Sequence, residues 1–307
     1  MTKVGVIGSY NADLTAKAAH IPKPGETILG GGFSVNNGGK GSNQAVAAKK
    51  AGAELLFAAK LGQDAFGEKA LSLYRSLGID TSFVILSEKE ATGAALIMVD
   101  ENTAENCILV ASGSNLSFTE EDAGKIRPLI CACDYLLFQL EISPEINFSL
   151  MAYAHEQGKK VILNPAPASD IPEEIFHKLY LITPNEHEAA ALTGVAISDM
   201  ASAKKAAEVL LQKGVQNVII TLGSEGALLL TEEECIMLPA IPVKAVDTTG
   251  AGDAYNGALL AALAEGKSLS EAAEYAAYAA AISVTKPGAA EASPFKEEIL
   301  SFIESRF

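Results

Sequence analysis

Short runs of mostly apolar residues alternate along the chain with longer segments in which apolar residues recur every three or four positions. The first pattern is typical of strands buried on both faces of a sheet, and the second of amphipathic helices. Their alternation predicts βαβ units, and hence a three-layer α/β/α sandwich with a mostly parallel central sheet. The predicted strands are Val4–Ile7, Leu55–Ala59, Tyr135–Phe138, Lys160–Leu163, Leu179–Ile182 and Asn217–Thr221.

Several predicted helices are followed closely by a glycine, a residue that commonly ends helices because it adopts positive φ without strain. Gly52, Gly78, Gly158, Gly214 and Gly266 hold this position. The predicted helices are Ser42–Lys50, Ala65–Leu77, Pro144–Gln157, Glu186–Leu192, Ala201–Gln212, Asp253–Ala264, Ser270–Val284 and Phe295–Glu304.

Two segments, 14–37 and 92–111, interrupt this alternation. The first is rich in proline and glycine, whereas the second has the pattern of a hairpin, Ala94–Val99 and Asn106–Val110, around the polar turn Asp100–Thr103. Together they predict a small antiparallel sheet beside the main domain. Because such a sheet cannot bury both of its faces alone, we expect it to serve as a lid over an active site or to pack against a partner's lid.

The length and composition bound the class of protein. The chain has 307 residues, of which 49% are hydrophobic, and we expect one large domain over 1–307 that includes the lid. There is no run of 18 or more apolar residues, and the first ten residues lack the sections of a signal peptide. These features predict a cytoplasmic protein.

Charge narrows the possible partners. A net charge of −15 argues against nucleic acid or an anionic membrane as partner, because both require a clustered basic face. Any bound anion must therefore be attracted locally, by helix N-termini, backbone N–H groups, a few lysines or bound cations. The four cysteines, Cys107, Cys131, Cys133 and Cys235, lack the spacing of a zinc site and are interpreted as reduced thiols in the core.

The usual nucleotide-binding fingerprints are missing from the sequence. The segment Gly8–Asp13 after the first strand is not the G-x-G-x-x-G of a dinucleotide site. Gly39-Lys40 is followed by Gly41 and preceded five residues earlier by Ser34, which does not match a P-loop. Phosphate binding in this chain must therefore use another design.

The segment Val246–Gly257 offers such a design. Gly250, Ala251 and Gly252 carry almost no side chain, so an anion can approach the unpaired N–H groups of the following helix directly. Asp253 comes next, and an ordinary helix cap is the alternative interpretation. The three small residues, together with Gly257 one turn later, favour close approach of a ligand instead. We predict that Asp253 accepts the proton of an attacking hydroxyl while the Gly250–Gly252 amides hold a phosphoryl group.

This segment resembles a known signature. Asp247-Thr248-Thr249-Gly250-Ala251-Gly252-Asp253 is similar to the C-terminal signature of the ribokinase, or PfkB, family of carbohydrate kinases. Asn37–Ala45 resembles the family's other signature, in the form that its ribose-phosphorylating members carry. The resemblance implies the ribokinase-like fold and transfer of the ATP γ-phosphoryl group to O5 of D-ribose.

Polar residues near other strand ends complete the sugar site that the resemblance implies. An amide and a carboxylate two residues apart, Asn11 and Asp13, suit the vicinal hydroxyls of a sugar, although such residues are also frequent in turns. Lys40 and Asn43 cluster with a glycine turn that alone would be an ordinary helix start. The implied substrate-binding set is Asn11, Ala12, Asp13, Gly39, Lys40, Gly41, Ser42, Asn43, Glu141 and Asp253.

On the nucleotide side, the resemblance implies MgATP. Glu188 lies in the family's Asn-x-x-Glu element and would hold Mg²⁺ and phosphate through water, although a solvated helix carboxylate is the simpler interpretation. Ala277 departs from the family, since some members have a histidine there near the adenine. The implied nucleotide-binding set is Asn185, Glu188, Thr221, Leu222, Gly223, Ser224, Glu225, Gly226 and Gly252.

The resemblance also implies an activating K⁺ ion and a homodimer formed through the lid sheets. The implied cation-binding residues, most of them acting through backbone carbonyls, are Asp247, Thr249, Ser283, Lys286, Gly288 and Ala292. Two alternatives stay open from the sequence: an acceptor that is deoxyribose or a nucleoside, and a noncatalytic sugar-binding regulator on the same fold.

Overall fold

The computed structural model describes residues 2–103 and 105–306; Ala104, inside the predicted lid segment, lies outside the described residues, as do Met1 and Phe307. The strands are β1 (Lys3–Ile7), β2 (Asn11–Ala18), β3 (Phe33–Gly38), β4 (Glu54–Gly62), β5 (Asp80–Ser87), β6 (Gly93–Asp100), β7 (Asn106–Ala111), β8 (Tyr135–Phe138), β9 (Lys160–Leu163), β10 (Leu179–Ile182), β11 (Val218–Thr221), β12 (Ala227–Leu230) and β13 (Cys235–Leu238). The α-helices are α1 (Lys40–Lys50), α2 (Ala65–Ser76), α3 (Glu120–Ala132), α4 (Pro144–Glu156), α5 (Glu173–Phe176), α6 (Glu186–Thr193), α7 (Met200–Gln212), α8 (Ala251–Ala264), α9 (Leu269–Ser283) and α10 (Lys296–Glu304). No helix in these ranges is both long and apolar enough to span a lipid bilayer.

The larger sheet has the strand order β13-β12-β11-β10-β9-β8-β1-β4-β5. Every pair from β11 to β5 is parallel, and β12 runs antiparallel to both of its neighbours. The predicted mostly parallel sheet is therefore confirmed. Three of its strands, β5, β12 and β13, were not predicted from the sequence.

Alternate residues of the central strands face opposite helical layers. In β1, Val4 and Val6 belong to the apolar core beneath α1, α2, α8, α9 and α10, whereas Ile7 belongs to the core beneath α3 to α7. In β8, Leu137 faces the first layer and Phe138 the second. This two-residue period buries both faces of the sheet and produces the predicted three-layer sandwich.

The sheet order reverses at β1, because the chain next adds β4 on one side and only later β8 on the other. In open parallel sheets, ligands bind outside the carboxyl ends of the strands at such a switch point. The residues that follow β1 and β8, among them Asn11 and Glu141, emerge at this edge.

The smaller sheet has the order β3-β2-β6-β7 and confirms the predicted hairpin, formed here by β6 and β7. The prediction that it is wholly antiparallel was wrong, since β2 pairs with β6 in parallel from Asn11↔Gly93 to Ala18↔Asp100. Both strands leave the same carboxyl edge of the larger sheet, β2 after β1 and β6 after β5, and so they run in the same direction.

Two further expectations need correction. Cys133 is buried, but the other three cysteines are exposed. Cys107 lies on the outer strand β7, Cys131 on the solvent side of α3, and Cys235 on β13, the terminal strand of the large sheet.

Helix α3 was not predicted, and it contains Pro128. Its Thr119–Asp122 capping box was the available signal.

Candidate active site

Glycines allow the start of α1 to lie directly against the connection between β1 and β2. Gly39 has φ of 84°, and a Cβ there would lie 2.7 Å from the amide nitrogen of Asn11. A Cβ on Gly41 would lie 2.4 Å from the nitrogen of Ser9, and Ser42 N–H donates to Ser9 O at 2.8 Å. The glycines of this motif are thus required by backbone packing at the switch point.

Carboxylates gather beside this contact. Glu141 Oε2 accepts hydrogen bonds from the backbone N–H of Lys40 at 2.8 Å and from Ser9 Oγ. The carboxylate of Asp13 lies beside Gly38, in space that a side chain would fill. A Cβ on Gly38 would lie only 2.2 Å from Asp13 Oδ2. Burial, and after it the nearby charges of Glu141, Glu291 and Asp253, together raise the pKa of Asp13 to about 6. The pocket is therefore rich in acceptors for sugar hydroxyls.

Asp253 does not cap its helix. Gly250 is the N-cap residue of α8, with no side-chain cap bond, and Asp253 is only 8% exposed. Its carboxylate instead accepts hydrogen bonds from Asn43 Nδ2 and Gln44 Nε2, both at 2.9 Å. The ordinary-cap interpretation therefore fails, and the two sequence signatures meet at this carboxylate.

The start of α8 presents unpaired N–H groups. Within residues 2–103 and 105–306, no acceptor pairs with the N–H of Gly252 or of Asp253, whereas the N–H of Ala251 donates to Thr248 O at 3.2 Å. A Cβ on Gly252 would meet nothing within 4 Å. Asn256 fixes this turn by donating to Gly252 O at 2.8 Å. The space beside Gly252 is open to an anion.

Gly257 has a different role from the one expected. A Cβ there would lie 2.5 Å from Ala47 Cβ, 2.6 Å from Gln44 O and 2.7 Å from Ala48 N, all on α1. This glycine allows α8 to pack closely on α1 and does not face a ligand. Its effect on the site is to set the distance between Gln44 and Asp253.

Asn185 and Glu188 form a reciprocal capping box at the start of α6, with both hydrogen bonds at 2.9 Å. Glu188 is 8% exposed, so it is not the solvated carboxylate of the simpler interpretation. Burial raises the pKa of Glu188 above its usual value, and the backbone N–H of Asn185 and the charge of Lys40 offset only part of this effect. Oε1 of Glu188 has no hydrogen bond among the described residues, and a partly desolvated carboxylate with a spare oxygen fits water-mediated contact with Mg²⁺.

The segment Thr221–Gly226 follows β11 at the same edge of the sheet. Thr221 N–H donates to Pro184 O at 3.0 Å, and Leu222 is buried in the core. A Cβ on Gly226 would lie 2.0 Å from Leu238 O, so this glycine is required by strand packing, whereas Gly223 faces open space. The remaining residues of the segment, Ser224 and Glu225, belong to a short 3₁₀ turn over Gly223–Glu225. Ala277 is half-buried on α9 and packs against the core.

Asp247 joins two loops. Oδ1 accepts from Thr249 N–H and Oδ2 from Gly288 N–H, both at 2.9 Å. Burial alone would raise its pKa, but these backbone donors outweigh that effect and lower the pKa of the carboxyl. The side chains of Ser283 and Lys286 are engaged elsewhere, with Ala280 O and Glu298, which leaves backbone carbonyls as the available cation ligands in this loop. Ala292 is buried beside them.

Lys50, the last residue of α1, holds the same C-terminal loop. Its Nζ donates to the carbonyl oxygens of Ala290, Glu291 and Ser293, each at 3.0 Å. Burial lowers the pKa of its ammonium group, which also lies 5.3 Å from the centre of the Phe295 ring. One helix therefore contacts the predicted sugar site at its start and the predicted cation loop at its end.

Sequence reasoning missed several polar side chains at this edge of the sheet. Asn115 donates to Asn11 Oδ1 and to Tyr10 O, both at 2.9 Å, and so positions a predicted sugar ligand. Ser42, predicted to contact substrate, is fully buried and accepts a hydrogen bond from Tyr74 Oη at 3.0 Å. The missed residues are Ser9, Gln44, Asn115, Gln139 and Asn164. Gln44 lies within the signature segment Asn37–Ala45, whereas the other four lie in no recognisable motif.

Comparison with known proteins places the chain in a family. A family model described as "pfkB family carbohydrate kinase" matches residues 1–296. The chain belongs to this family. It is similar to the ribokinase of Haemophilus influenzae, at 42% identity over 300 residues and 97% of each chain, and to the deoxyribokinase of Salmonella typhi, at 34% over 301 residues and 98% of each chain. A solved structure of Arabidopsis thaliana ribokinase complexed with ribose and ATP matches with a TM-score of 0.92, at 30% identity and 99% of each chain.

Proposed function

We propose that this chain is an ATP-dependent sugar kinase that transfers the γ-phosphoryl group of ATP to O5 of D-ribose. The products are ribose 5-phosphate and ADP. The observation that carries the proposal is the buried Asp253 carboxylate, which lies beside the unpaired N–H groups at the start of α8 and bonds to Asn43 of the other signature. The similar ribokinases from bacteria and plants support ribose as acceptor. A cytoplasmic location remains part of the proposal.

The ribose would lie between the two sheets, at the carboxyl end of β1. Asp13 and Glu141 supply carboxylate acceptors, and Asn11, Lys40 and Asn43 supply donors for the remaining hydroxyl oxygens. Ala12, Gly39 and Gly41 contribute backbone groups, and the two glycines allow the start of α1 to lie close to the connection between β1 and β2. Ser42 supports the site through its hydrogen bond with Tyr74. A small polar pocket of this kind suits a pentose.

Asp253 is the proposed general base. Its carboxylate takes the proton of the sugar 5-hydroxyl as O5 bonds to the γ-phosphorus. The bond from the γ-phosphorus to the bridging β,γ-oxygen breaks, and its electron pair leaves with ADP. The Gly250–Gly252 turn, with the unpaired N–H groups of Gly252 and Asp253, would stabilise the charge on the transferring group.

The ATP phosphates would lie along the edge between α8 and α6. Asn185 and Glu188, with Lys40 nearby, are the residues proposed to hold Mg²⁺ and phosphate through water, and Mg²⁺ would neutralise phosphate charge there. The segment Thr221–Gly226 is proposed to contact the rest of the nucleotide through its backbone, at the open side of Gly223.

An activating K⁺ ion is the second cofactor of this proposal. Asp247 holds the two loops together, and backbone carbonyls there would supply the oxygen ligands that a monovalent cation requires. Such a cation would order the loop beside the start of α8 without contacting the phosphates. The proposed residues are Asp247, Thr249, Ser283, Lys286, Gly288 and Ala292.

The smaller sheet is proposed to be a lid of a single domain and the contact surface of a homodimer. Its outer strand β7 is exposed along its whole length, with Ile108, Leu109 and Val110 each at least half exposed. Phe33 on β3 is 69% exposed. Apolar surface of this extent is typical of an interaction site.

Two alternative acceptors compete with ribose. The deoxyribokinase relative favours deoxyribose, because that protein matches over the same share of the chain. A nucleoside base would need aromatic surface near the sugar; the ring of Tyr10 is fully buried, which leaves Phe33 on β3, 69% exposed, as the aromatic side chain that the lid offers. A noncatalytic sugar-binding regulator would have no use for a buried carboxylate beside unpaired N–H groups.

A substrate panel with MgATP tests the proposal. Ribose, 2-deoxyribose, hexoses and nucleosides are compared by ADP release, and the product is analysed by phosphorus NMR for a phosphate on O5. 5-Deoxyribose is the matched control, since it lacks only the reacting hydroxyl and should support no turnover. Activity with nucleosides alone, or undiminished ADP release with 5-deoxyribose, would overturn the assignment.

A further inference from the structure

Gln44 occupies a central place in a buried chain of amide side chains. Its side chain is fully buried on α1, immediately after Asn43. Nε2 donates to Asp253 Oδ1 and to Asn164 Oδ1, both at 2.9 Å, and Oε1 accepts from Gln139 Nε2 at 2.7 Å. Both N–H bonds and the carbonyl oxygen of this amide are therefore used within the protein.

The direction of these hydrogen bonds is determined by the chemistry of the partners. An ionised carboxylate can only accept, so Nε2 of Gln44 must face Asp253. Asn164 donates its own amide to Thr183 O at 2.9 Å, which leaves its oxygen for Gln44. Gln139 donates to Gln44 Oε1 from the other side. The hydrogen bonds from Gln139 to Gln44 and from Gln44 to Asp253 therefore point in the same direction, toward the carboxylate.

Helix packing fixes the distance between the two side chains. Gly257, one turn after Asp253, brings α8 so close to α1 that a Cβ would lie 2.6 Å from the backbone oxygen of Gln44. The two residues therefore cannot separate without moving a helix.

We propose that Gln44 is a positioning residue for the general base. Its amide holds Oδ1 of Asp253 and leaves Oδ2, which is paired with Asn43 from the sugar motif, as the oxygen that receives the proton. This inference rests on the proposed function. A purely structural role, in which the amide only ties α1 to the ends of β8 and β9, is the competing explanation.

The test compares Gln44→Met, which keeps the length of the side chain, with Asn217→Leu as the control. Asn217→Leu also removes a side-chain amide, one that donates to a backbone oxygen, Tyr180 O at 2.8 Å, but at the amino end of β11, away from the site. We expect Gln44→Met to lower kcat by about 10- to 100-fold, as for loss of a hydrogen bond to a charged group, with KM for ribose within about threefold. The acidic limb of the kcat–pH profile should move to higher pH, because a carboxylate without this donor binds its proton more tightly. Asn217→Leu should keep turnover within about threefold and leave the profile in place.

Asp253→Asn in the same series separates this inference from the proposed function. If Asp253→Asn retains parental turnover, the base assignment itself fails. If it loses turnover while Gln44→Met shows parental kcat or an unmoved acidic limb, the role of Gln44 is overturned and the function stands. Adding Gln44→Met to Asp253→Asn should change the residual turnover by less than about threefold; a further tenfold loss would also overturn the role. Gln44→Asn, whose shorter amide cannot reach Asp253, replaces Gln44→Met if that variant does not fold and carries the same expectations.

Discussion

Replacing Asp13 by asparagine is expected to stabilise the ligand-free protein at neutral pH while weakening its use of ribose. Asp13 lies where burial and the charges of Glu141, Glu291 and Asp253 all disfavour its ionised form. Asparagine has nearly the same shape, fits the space left by Gly38 and carries no charge.

The sign and size of the effect follow from the shift in pKa. The carboxyl titrates near 3.8 when unfolded and at about 6 when folded, so the folded state binds the proton more tightly. The contribution of Asp13 to the stability of the parent should therefore fall as the pH rises from about 4 to about 6, and above that window its ionised carboxylate costs roughly 3 kcal/mol at most. Asparagine does not titrate, so it does not lose this stability. The free energy of unfolding of the variant should therefore rise relative to that of the parent across the same pH window, and the difference should persist at higher pH.

Urea unfolding at a series of pH values from 4 to 8 measures the difference. Asp100→Asn on the neighbouring strand β6 is the matched control with the opposite sign, since the backbone N–H groups of Thr103 and Asn102 lower the pKa of that carboxyl. Its replacement should lower the free energy of unfolding at neutral pH, and the difference should vanish toward low pH.

Ribose kinetics at pH 8 complete the experiment. Loss of a charged acceptor should reduce kcat/KM for ribose by about 10- to 100-fold, with little change in KM for ATP. A stability difference between Asp13→Asn and the parent that does not vary with pH would refute the electrostatic reasoning. Parental kcat/KM for ribose would remove Asp13 from the sugar site.

Asp253→Asn should fold, because Asn43 can rotate its unpartnered Oδ1 toward the new amide, but steady-state turnover should fall by about 10²–10⁴-fold; turnover near the parental value would contradict the base assignment. Replacing a large organic cation by K⁺ at constant ionic strength and saturating Mg²⁺ should raise both activity and Tm, and identical values in the two buffers would exclude the cation site. Gly257→Ala should lower the free energy of unfolding by roughly 1–3 kcal/mol in urea, since its Cβ meets the backbone of Gln44 and Ala48; unchanged stability would mean that the helices separate freely. Leu109→Lys on β7 should shift sedimentation from dimer to monomer, and a parent that sediments as a monomer would disprove the lid interface.

The sandwich could be predicted because its strands and helices differ strongly in apolar periodicity. Tyr135–Phe138, Lys160–Leu163 and Leu179–Ile182 have the predicted bounds, since each is a short run buried on both faces. The parallel pairing of β2 with β6 could not be predicted in the same way. It depends on where two distant strands leave the larger sheet, which is a property of the assembled topology.

The same distinction applies to the site: some of its residues have a local sequence pattern, and others are recognised only once the fold brings their partners together. Asp253 could be identified because small residues before a helix leave its N–H groups accessible, and because the segment resembles the family's C-terminal signature. Gln44, Asn115 and Asn164 could not, because a buried amide has no distinctive sequence context until its partners are known. Gly257 was misinterpreted for a related reason: the sequence reveals the need for close approach but not which group approaches.

The contact of Lys50 with the C-terminal loop has a consequence for the order of folding. The carbonyl of Ala290 that Lys50 holds lies 240 residues further along the chain, and α8, which packs directly on α1 through Gly257, also comes late. During synthesis from the N-terminus, β1, β4 and α1 emerge long before these partners exist. The apolar face of α1 therefore stays uncovered on the ribosome until nearly the whole polypeptide has been made, and truncated chains that end before α8 should be preferred clients of chaperones.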